Sequence, residues 1–219
     1  MTLSQKLFLG TFRPLLSICF SWKIEGRKNV PLTGPLILVA NHIHVVDPIF
    51  LAFAFPRWIT FVAKEELFRS LFLRFWLRWA GSLPLQRGGK VREKQRMLEG
   101  VRKVLEEGLI LGMFPEGARS HDGKLRNARH GPAVIASKTD TPVLPVGIAG
   151  TDKIHGISWL WKRPPIVVTI GKPFRLPPTN SKISRSQMQL LTTRLMEEIA
   201  ALLPAEYRGI YARHEDSES

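Results

Sequence analysis

A chain of 219 residues has room for one domain with a sizeable core, burying roughly 70% of the surface that its unfolded form exposes. The formal net charge of +14 accompanies 44% hydrophobic residues, six Trp and twelve Phe, which excludes a disordered polyelectrolyte and calls for an anionic partner, a membrane surface or nucleic acid. Cys19 is the only cysteine, so an internal disulfide and a multi-cysteine metal site are excluded, as suits a reducing compartment.

Residues 1–21 are apolar enough to imitate a signal peptide, but Arg13 and Pro14 split the run and no small-residue cleavage site follows. They read as a retained amphipathic membrane anchor. Trp22–Glu25 and Leu36–Ala40 are predicted strands, the second an unbroken apolar run of the kind buried on both faces. The stretch from Pro31 to Pro56 imitates a membrane span, yet it holds Pro35, Asn41, His42, His44, Asp47 and Pro48. A central Asp alone would cost about 2.5 to 3.5 kcal/mol on insertion, so strand, loop and helix are expected there. Asp47 and Pro48 suit the N-cap and first position of a helix over Ile49–Phe55.

Trp58–Ala63 is a further predicted strand, ending at Lys64. Leu67–Trp79 is apolar apart from Arg69 and a stripe of Ser70, Arg74 and Arg78, so it is either a core helix with snorkelling arginines or an interfacial helix with Trp76 and Trp79 at headgroup level. Lys90–Glu107 is an amphipathic helix with Met97, Leu98, Val101, Val104 and Leu105 on one face and Gly108 as its stop. Leu109–Phe114 forms a strand that delivers FPEGARS into a loop, with a turn at Asp122-Gly123 behind it. A helix over Pro132–Ser137, strands over Val143–Ile148 and Ile166–Ile170 and a helix over Ser186–Leu203 complete an α/β fold: a mixed, mostly parallel central sheet flanked by helices. The expected division is 1–21 as anchor, 22–205 as the domain, and 206–219 as a polar C-terminal tail.

Two strings carry the chemistry. NHIHVVD sets His42 and Asp47 five positions apart. An imidazole oriented by a carboxylate can deprotonate a hydroxyl, although a loop histidine and an unrelated capping aspartate would look the same. In FPEGARS, Pro115 and Gly117 shape the backbone, Arg119 can grip a phosphate with two parallel hydrogen bonds, and Glu116 can accept from a hydroxyl or hold an arginine. Lys64 and, in GSLPLQR, Arg87 also follow strand ends, which makes a phosphate pocket a better account than three separate surface charges. Both motifs leave strand ends, where open α/β sheets form their crevices. His42, His44 and Asp47 could instead start a metallohydrolase site, but Val46 stands where a further ligand is wanted and the other histidines lack paired spacing. No GxSxG elbow, P-loop or GxGxxG is present.

These blocks resemble the glycerophospholipid acyltransferases of the 1-acylglycerol-3-phosphate type: NHIHVVD (the HX4D motif), GSLPLQR, FPEGARS and VLPVGI in order, with GPLILVAN, VAKEEL and VVTIGKPF between and around them. The resemblance covers most of Trp22 to Phe174. It implies transfer of a fatty acyl group from acyl-CoA or acyl-carrier protein to the free hydroxyl of a lysophospholipid, giving phosphatidate, with no cofactor and no metal. By position His42 would be the general base and Asp47 its partner, while Lys64 and Arg119 would bind the acceptor phosphate and Arg87, Glu116 and Gly117 complete the pocket. His44 stands where a Ser is usual, Ala118 replaces a frequent Thr, and Pro84 and Gln86 depart from the common second block. The expected partners are a membrane surface with anionic lipids, the lysophospholipid and the acyl donor, not nucleic acid. The expected location is the cytoplasmic face of a membrane, held peripherally or monotopically. WLWKRPP offers either a second membrane contact or a buried hairpin. The alternatives are a metal-dependent hydrolase and a basic peripheral membrane or nucleic-acid-binding protein without catalysis.

Overall fold

A computed structural model describes residues 2–85, 91–156, 159–179 and 183–212. In chain order its regular elements are α1 (Leu3–Cys19), β1 (Ser21–Glu25), β2 (Leu36–Ala40), α2 (Asp47–Ala54), β3 (Ile59–Lys64), α3 (Leu71–Trp79), β4 (Leu83–Leu85), α4 (Val91–Glu106), β5 (Ile110–Met113), α5 (Gly131–Thr139), β6 (Val143–Ala149), α6 (Trp159–Lys162), β7 (Pro165–Ile170) and α7 (Arg185–Ala200). Short 3-10 turns at Glu65–Arg69, Ala205–Tyr207 and Gly209–Tyr211 join or follow them.

The strands form one sheet in the order β1-β7-β6-β2-β5-β3-β4. Every pairing is parallel except that of β6 with β7. Strand β2 lies between β5 and β6, and all five of its residues are buried because the pleat sends alternate side chains into two cores. Ile37 and Val39 pack with Val101 and Val104 of α4, Ala133 of α5 and Leu195 of α7. Leu36, Leu38 and Ala40 pack on the other face with Phe50 and Leu51 of α2 and with Phe20.

This two-sided burial positions the site. The connection leaving β2 runs into α2 on one face, and the connection leaving β5 runs into α5 on the other. Neighbouring parallel strands whose connections part to opposite faces open a crevice at their carboxyl ends. Both motifs emerge at that point.

Several expectations are corrected. Asp47 is the first residue of α2 and Val46 its cap, so the Asp47 carboxylate does not cap the helix. No residue of α3 is buried, and Leu71, Phe72 and Phe75 are 74%, 71% and 66% exposed, which removes the core-helix reading. The helix also begins later than expected, at a Ser70 cap, after the separate turn at Glu65–Arg69. Leu98 lies at the edge of the α4 stripe and is exposed, whereas Val101, Val104 and Leu105 are buried.

WLWKRPP forms no hairpin. Trp159 stacks on Phe20 at 4.6 Å, Trp161 projects outward, and α6 is a single turn of helix. The boundary at 205/206 cuts through packed structure, because Tyr207 is buried and Leu125 N donates to its carbonyl at 2.8 Å. Residues 213–219 of the expected tail lie outside the described residues. Within the segment expected as an anchor, α1 runs over Leu3–Cys19 with Pro14 inside it, and Phe8 packs on Phe53, Trp76 and Trp79. Among the described residues no helix is long and apolar enough to cross a membrane.

Candidate active site

Strand β2 is pinned at its end by Asn41, whose side-chain amide donates to Ile148 O at 2.8 Å and accepts from Ile148 N at 2.7 Å. The side chain thereby replaces a backbone rung of the β2–β6 ladder, which a buried amide must do to satisfy its polar atoms. The next residue is His42, so its starting direction is set by the sheet.

Its ring is fixed in turn. His42 Nδ1 lies 2.8 Å from Asp47 Oδ2, and because a carboxylate can only accept, Nδ1 carries the proton and Nε2 presents its lone pair. The same Asp47 oxygen accepts from Ile43 N and His44 N, each at 2.7 Å, so the loop 42–47 is wound around one fully buried carboxylate. The position that seemed suited to capping a helix instead turns the carboxylate back toward the preceding loop. The imidazole stacks on Phe114 with centroids 4.1 Å apart, and Phe114 stacks on Phe61. The His42 side chain retains 18% exposure. One open imidazole nitrogen beside a buried, oriented carboxylate is the arrangement a general base requires.

The second motif clamps the backbone of the same histidine from both ends. His42 N donates to Glu116 Oε1 at 3.0 Å, and His42 O accepts from Ser120 N at 2.7 Å. Glu116 Oε2 accepts from Arg126 N at 3.2 Å. Gly117 makes this possible: its φ of +68° is a left-handed conformation that glycine adopts without strain, and its N–H closes the turn onto Phe114 O at 3.0 Å. Burial pushes the Glu116 pKa up to about 7, against the two backbone hydrogen bonds that favour its ionised form. Both oxygens of the Glu116 carboxylate thus brace the His42 loop against the loop at Arg126.

Lys64 ends β3 and is exposed, and Arg119 is exposed beyond the Gly117 turn. Arg87 lies outside the described residues. His44 has its pKa lowered chiefly by burial; Arg119, His155 and His42 push in the same direction and Asp47 opposes them. His155, from the segment after β6, thus belongs to the electrostatic neighbourhood of the site. Sequence reading missed it, along with Asn41, Phe114 and Ser120. Asn41 alone had a local signal, as a polar residue ending an apolar strand.

Among the described residues no group of three His, Cys, Asp or Glu side chains is placed to hold a metal ion. His42 Nδ1 is committed to Asp47, and Asp47 Oδ2 already receives three donors. The geometry is that of a base and its orienting acid.

The family model described as Acyltransferase matches residues 21–149, the span from β1 to the end of β6, which contains Asn41, His42, Asp47, Phe114, Glu116, Gly117 and Ser120. The chain belongs to the acyltransferase family.

Within this family it is 31% identical over 129 residues to a 1-acyl-sn-glycerol-3-phosphate acyltransferase of Borreliella burgdorferi, covering 59% of this chain and 51% of that one. It is 31% identical over 132 residues to a chloroplastic 1-acyl-sn-glycerol-3-phosphate acyltransferase of Arabidopsis thaliana, covering 60% of this chain and 36% of that one. The chain therefore spans about half or less of the length of these curated relatives. The crystal structure of the 1-acyl-sn-glycerophosphate (LPA) acyltransferase PlsC from Thermotoga maritima superposes with a TM-score of 0.64 at 27% identity, over 91% of this chain and 83% of that one. An acyltransferase-family sheet is thus shared across nearly the whole chain.

Proposed function

We propose that the protein transfers a fatty acyl group from a thioester to the free hydroxyl of 1-acylglycerol-3-phosphate, giving phosphatidate. The observation that carries this reading is the mutual locking of the two motifs: His42 is oriented through its side chain by Asp47 and held through its backbone by Glu116 and Ser120. Relatives named for this reaction support the choice of acceptor.

In the proposed reaction, His42 Nε2 removes the hydroxyl proton as the oxygen attacks the thioester carbonyl. Asp47 stabilises the imidazolium. The new C–O bond forms, the C–S bond breaks, and the imidazolium returns its proton to the departing thiolate. Such a base contributes roughly 10²- to 10⁴-fold in rate. Lys64 and Arg119 are assigned to the acceptor phosphate, with Arg87 sharing that role by sequence position and Gly117 shaping the pocket. The acyl donor is a substrate, either acyl-CoA or an acyl-carrier protein, and the reaction requires no cofactor.

We place the protein on the cytoplasmic face of a membrane, held by α1 and α3. Exposed Leu71, Phe72, Phe75 and Trp76 alternate with Arg74 and Arg78, the composition of a helix lying in an anionic interface. Trp161 beside Lys162 and Arg163 supplies a second contact.

A radiolabelled acyl transfer assay on vesicles with a panel of lysolipid acceptors tests the reading. The wild type should label phosphatidate from 1-acylglycerol-3-phosphate, and His42→Ala should lose about 10²-fold or more. Equal transfer by both proteins would remove His42 as the base.

A further inference from the structure

Tyr207 stands in a stretch without a motif, at the start of the expected polar tail, yet it is only 6% exposed. Its carbonyl accepts from Leu125 N at 2.8 Å. Its hydroxyl donates to Asp152 Oδ1 at 2.7 Å and accepts from Gly150 N at 3.2 Å. Burial, and then the hydrogen bond to Asp152, push its pKa up to about 12, so the hydroxyl keeps its proton and remains a donor near neutral pH. One residue thus ties the end of β6 to the basic loop, the run from Ser120 to Arg129 that carries Lys124, Arg126 and Arg129.

Both attachments lead to the same histidine. On one side, the two neighbours of Leu125 reach the backbone of His42. Lys124 O lies 2.7 Å from Ser120 Oγ, and Ser120 N donates to His42 O at 2.7 Å. Arg126 N donates to Glu116 Oε2 at 3.2 Å, and Glu116 Oε1 accepts from His42 N at 3.0 Å. On the other side, Gly150 directly follows β6, where Ile148 exchanges backbone hydrogen bonds with the side chain of Asn41, the residue before His42. Chain and hydrogen bonds therefore form a ring through the base, and Tyr207 closes it. Gly209, with φ of +52°, seats the C-terminal turn on this ring, because its backbone lies against the Leu125 carbonyl where any side chain would collide.

A general base works only at hydrogen-bond range, and a misplacement of about 1 Å that originates far from the chemistry can cost about a hundredfold in rate. Asp47 fixes the rotation of the His42 ring, but that carboxylate belongs to the same loop and moves with it. Where the loop stands on the sheet edge is set instead by Asn41, Glu116 and Ser120. The end of β6 that Asn41 grips and the basic loop that holds Glu116 and contains Ser120 meet at Tyr207.

Resting on the acyl-transfer reading above, we propose that Tyr207 is a positioning residue for His42, its hydroxyl joining the end of β6 to the basic loop and so fixing where the base stands. Tyr207→Phe keeps the buried ring and removes the link, and a thermal melt registers the stability of each variant. Two readouts follow on the full chain: kcat for acyl transfer, and exchange with water of the His42 Nδ1 proton, followed by NMR with nitrogen-15 histidine and identified with His42→Gln. Tyr207→Phe should lower kcat on the order of tenfold and speed the exchange by about as much. Asp152→Asn, whose amide oxygen still accepts from the hydroxyl, should leave both readouts near wild type, whereas Asp152→Ala should move both toward Tyr207→Phe. The double variant Tyr207→Phe/Asp152→Ala should be no worse than Tyr207→Phe, because the two act through one bond. Val104→Ala, a core truncation on α4 outside the ring, supplies a thermally destabilised control that should leave both readouts unchanged. Unchanged kcat and exchange in Tyr207→Phe, or an equal fall in Val104→Ala, would overturn the assignment and leave acyl transfer standing. A wild type that transfers from no thioester, with the Nδ1 exchange responding as expected, would instead sink the acyl-transfer reading while the positioning of His42 by Tyr207 stands.

Discussion

Helices α2 and α3 are both short and rich in Phe and Leu, yet one is interior and the other is surface. DPIFLAFA packs on the sheet and buries Phe50, Leu51, Phe53 and Ala54. LFLRFWLRW buries nothing and meets α1 through Trp76 and Trp79 against Phe8. The difference follows from what each helix finds opposite it. Helix α2 connects β2 to β3 across the middle of the sheet, whereas α3 is set off by the turn at Glu65–Arg69 and feeds the outermost strand, β4. Arginines at Arg74 and Arg78 fit a helix that rests at an interface and would be costly in one that enters a core.

Substitutions should separate the two helices. Phe50 is 1% exposed, so Phe50→Ala should cost about 3 to 5 kcal/mol of stability by leaving a cavity between α2 and β1, measurable by urea or thermal unfolding. A loss below 1 kcal/mol would mean that α2 does not hold the core. Phe72→Ala with Phe75→Ala should change unfolding by no more than about 0.5 kcal/mol each. The same pair should weaken sedimentation with anionic vesicles on the order of a hundredfold, since two exposed phenyl groups would each forfeit about 1.5 kcal/mol or more of burial in the interface. Unchanged vesicle binding would break the contrast, leaving α3 as surface without a use.

A smaller effect tests the brace that neither helix supplies. Glu116→Gln places an amide N–H against the backbone N–H of His42 or Arg126, and a fall in stability of about 1 to 3 kcal/mol is expected. Its pH dependence has a definite sign. Glu116 is protonated more readily in the folded protein, with a pKa of about 7 against an ordinary 4.5, so the folded state binds the extra proton between those values. Stability from this group therefore declines as pH rises from about 4.5 to 7, and that slope should vanish in Glu116→Gln. A stability profile with the same slope in both proteins would show that Glu116 ionises as it does in water.

Much of this organisation is legible from residue order. The unbroken run LILVA is a strand buried on both faces, because two-sided burial removes the polar alternation. The parallel pairing of β2 with β5 follows from alternating strands and helices, and it brings both motifs to one edge. The antiparallel pairing of β7 with β6 was less legible, since residues 150–164 are long enough to join the strands in either direction and the apolar pattern does not encode direction. Asp47 shows the limit at the level of one side chain. Asp-Pro before an apolar run signals a helix start, but a shift of one position decides whether the carboxylate caps that helix or gathers the loop behind it.

The sequence alone determined that only four residues separate His42 from Asp47, which lets their side chains meet, and that both motifs follow strands, since hydrophobic periodicity is local. Tertiary structure alone decided that Glu116 and Ser120 hold the backbone of His42, that the chain after Pro204 fastens the basic loop, and that α3 rather than α2 stays exposed. Each of those outcomes depends on contacts between segments far apart in the chain. Burial and hydrogen bonding at such contacts depend on which surfaces the fold brings together, and no local pattern records that.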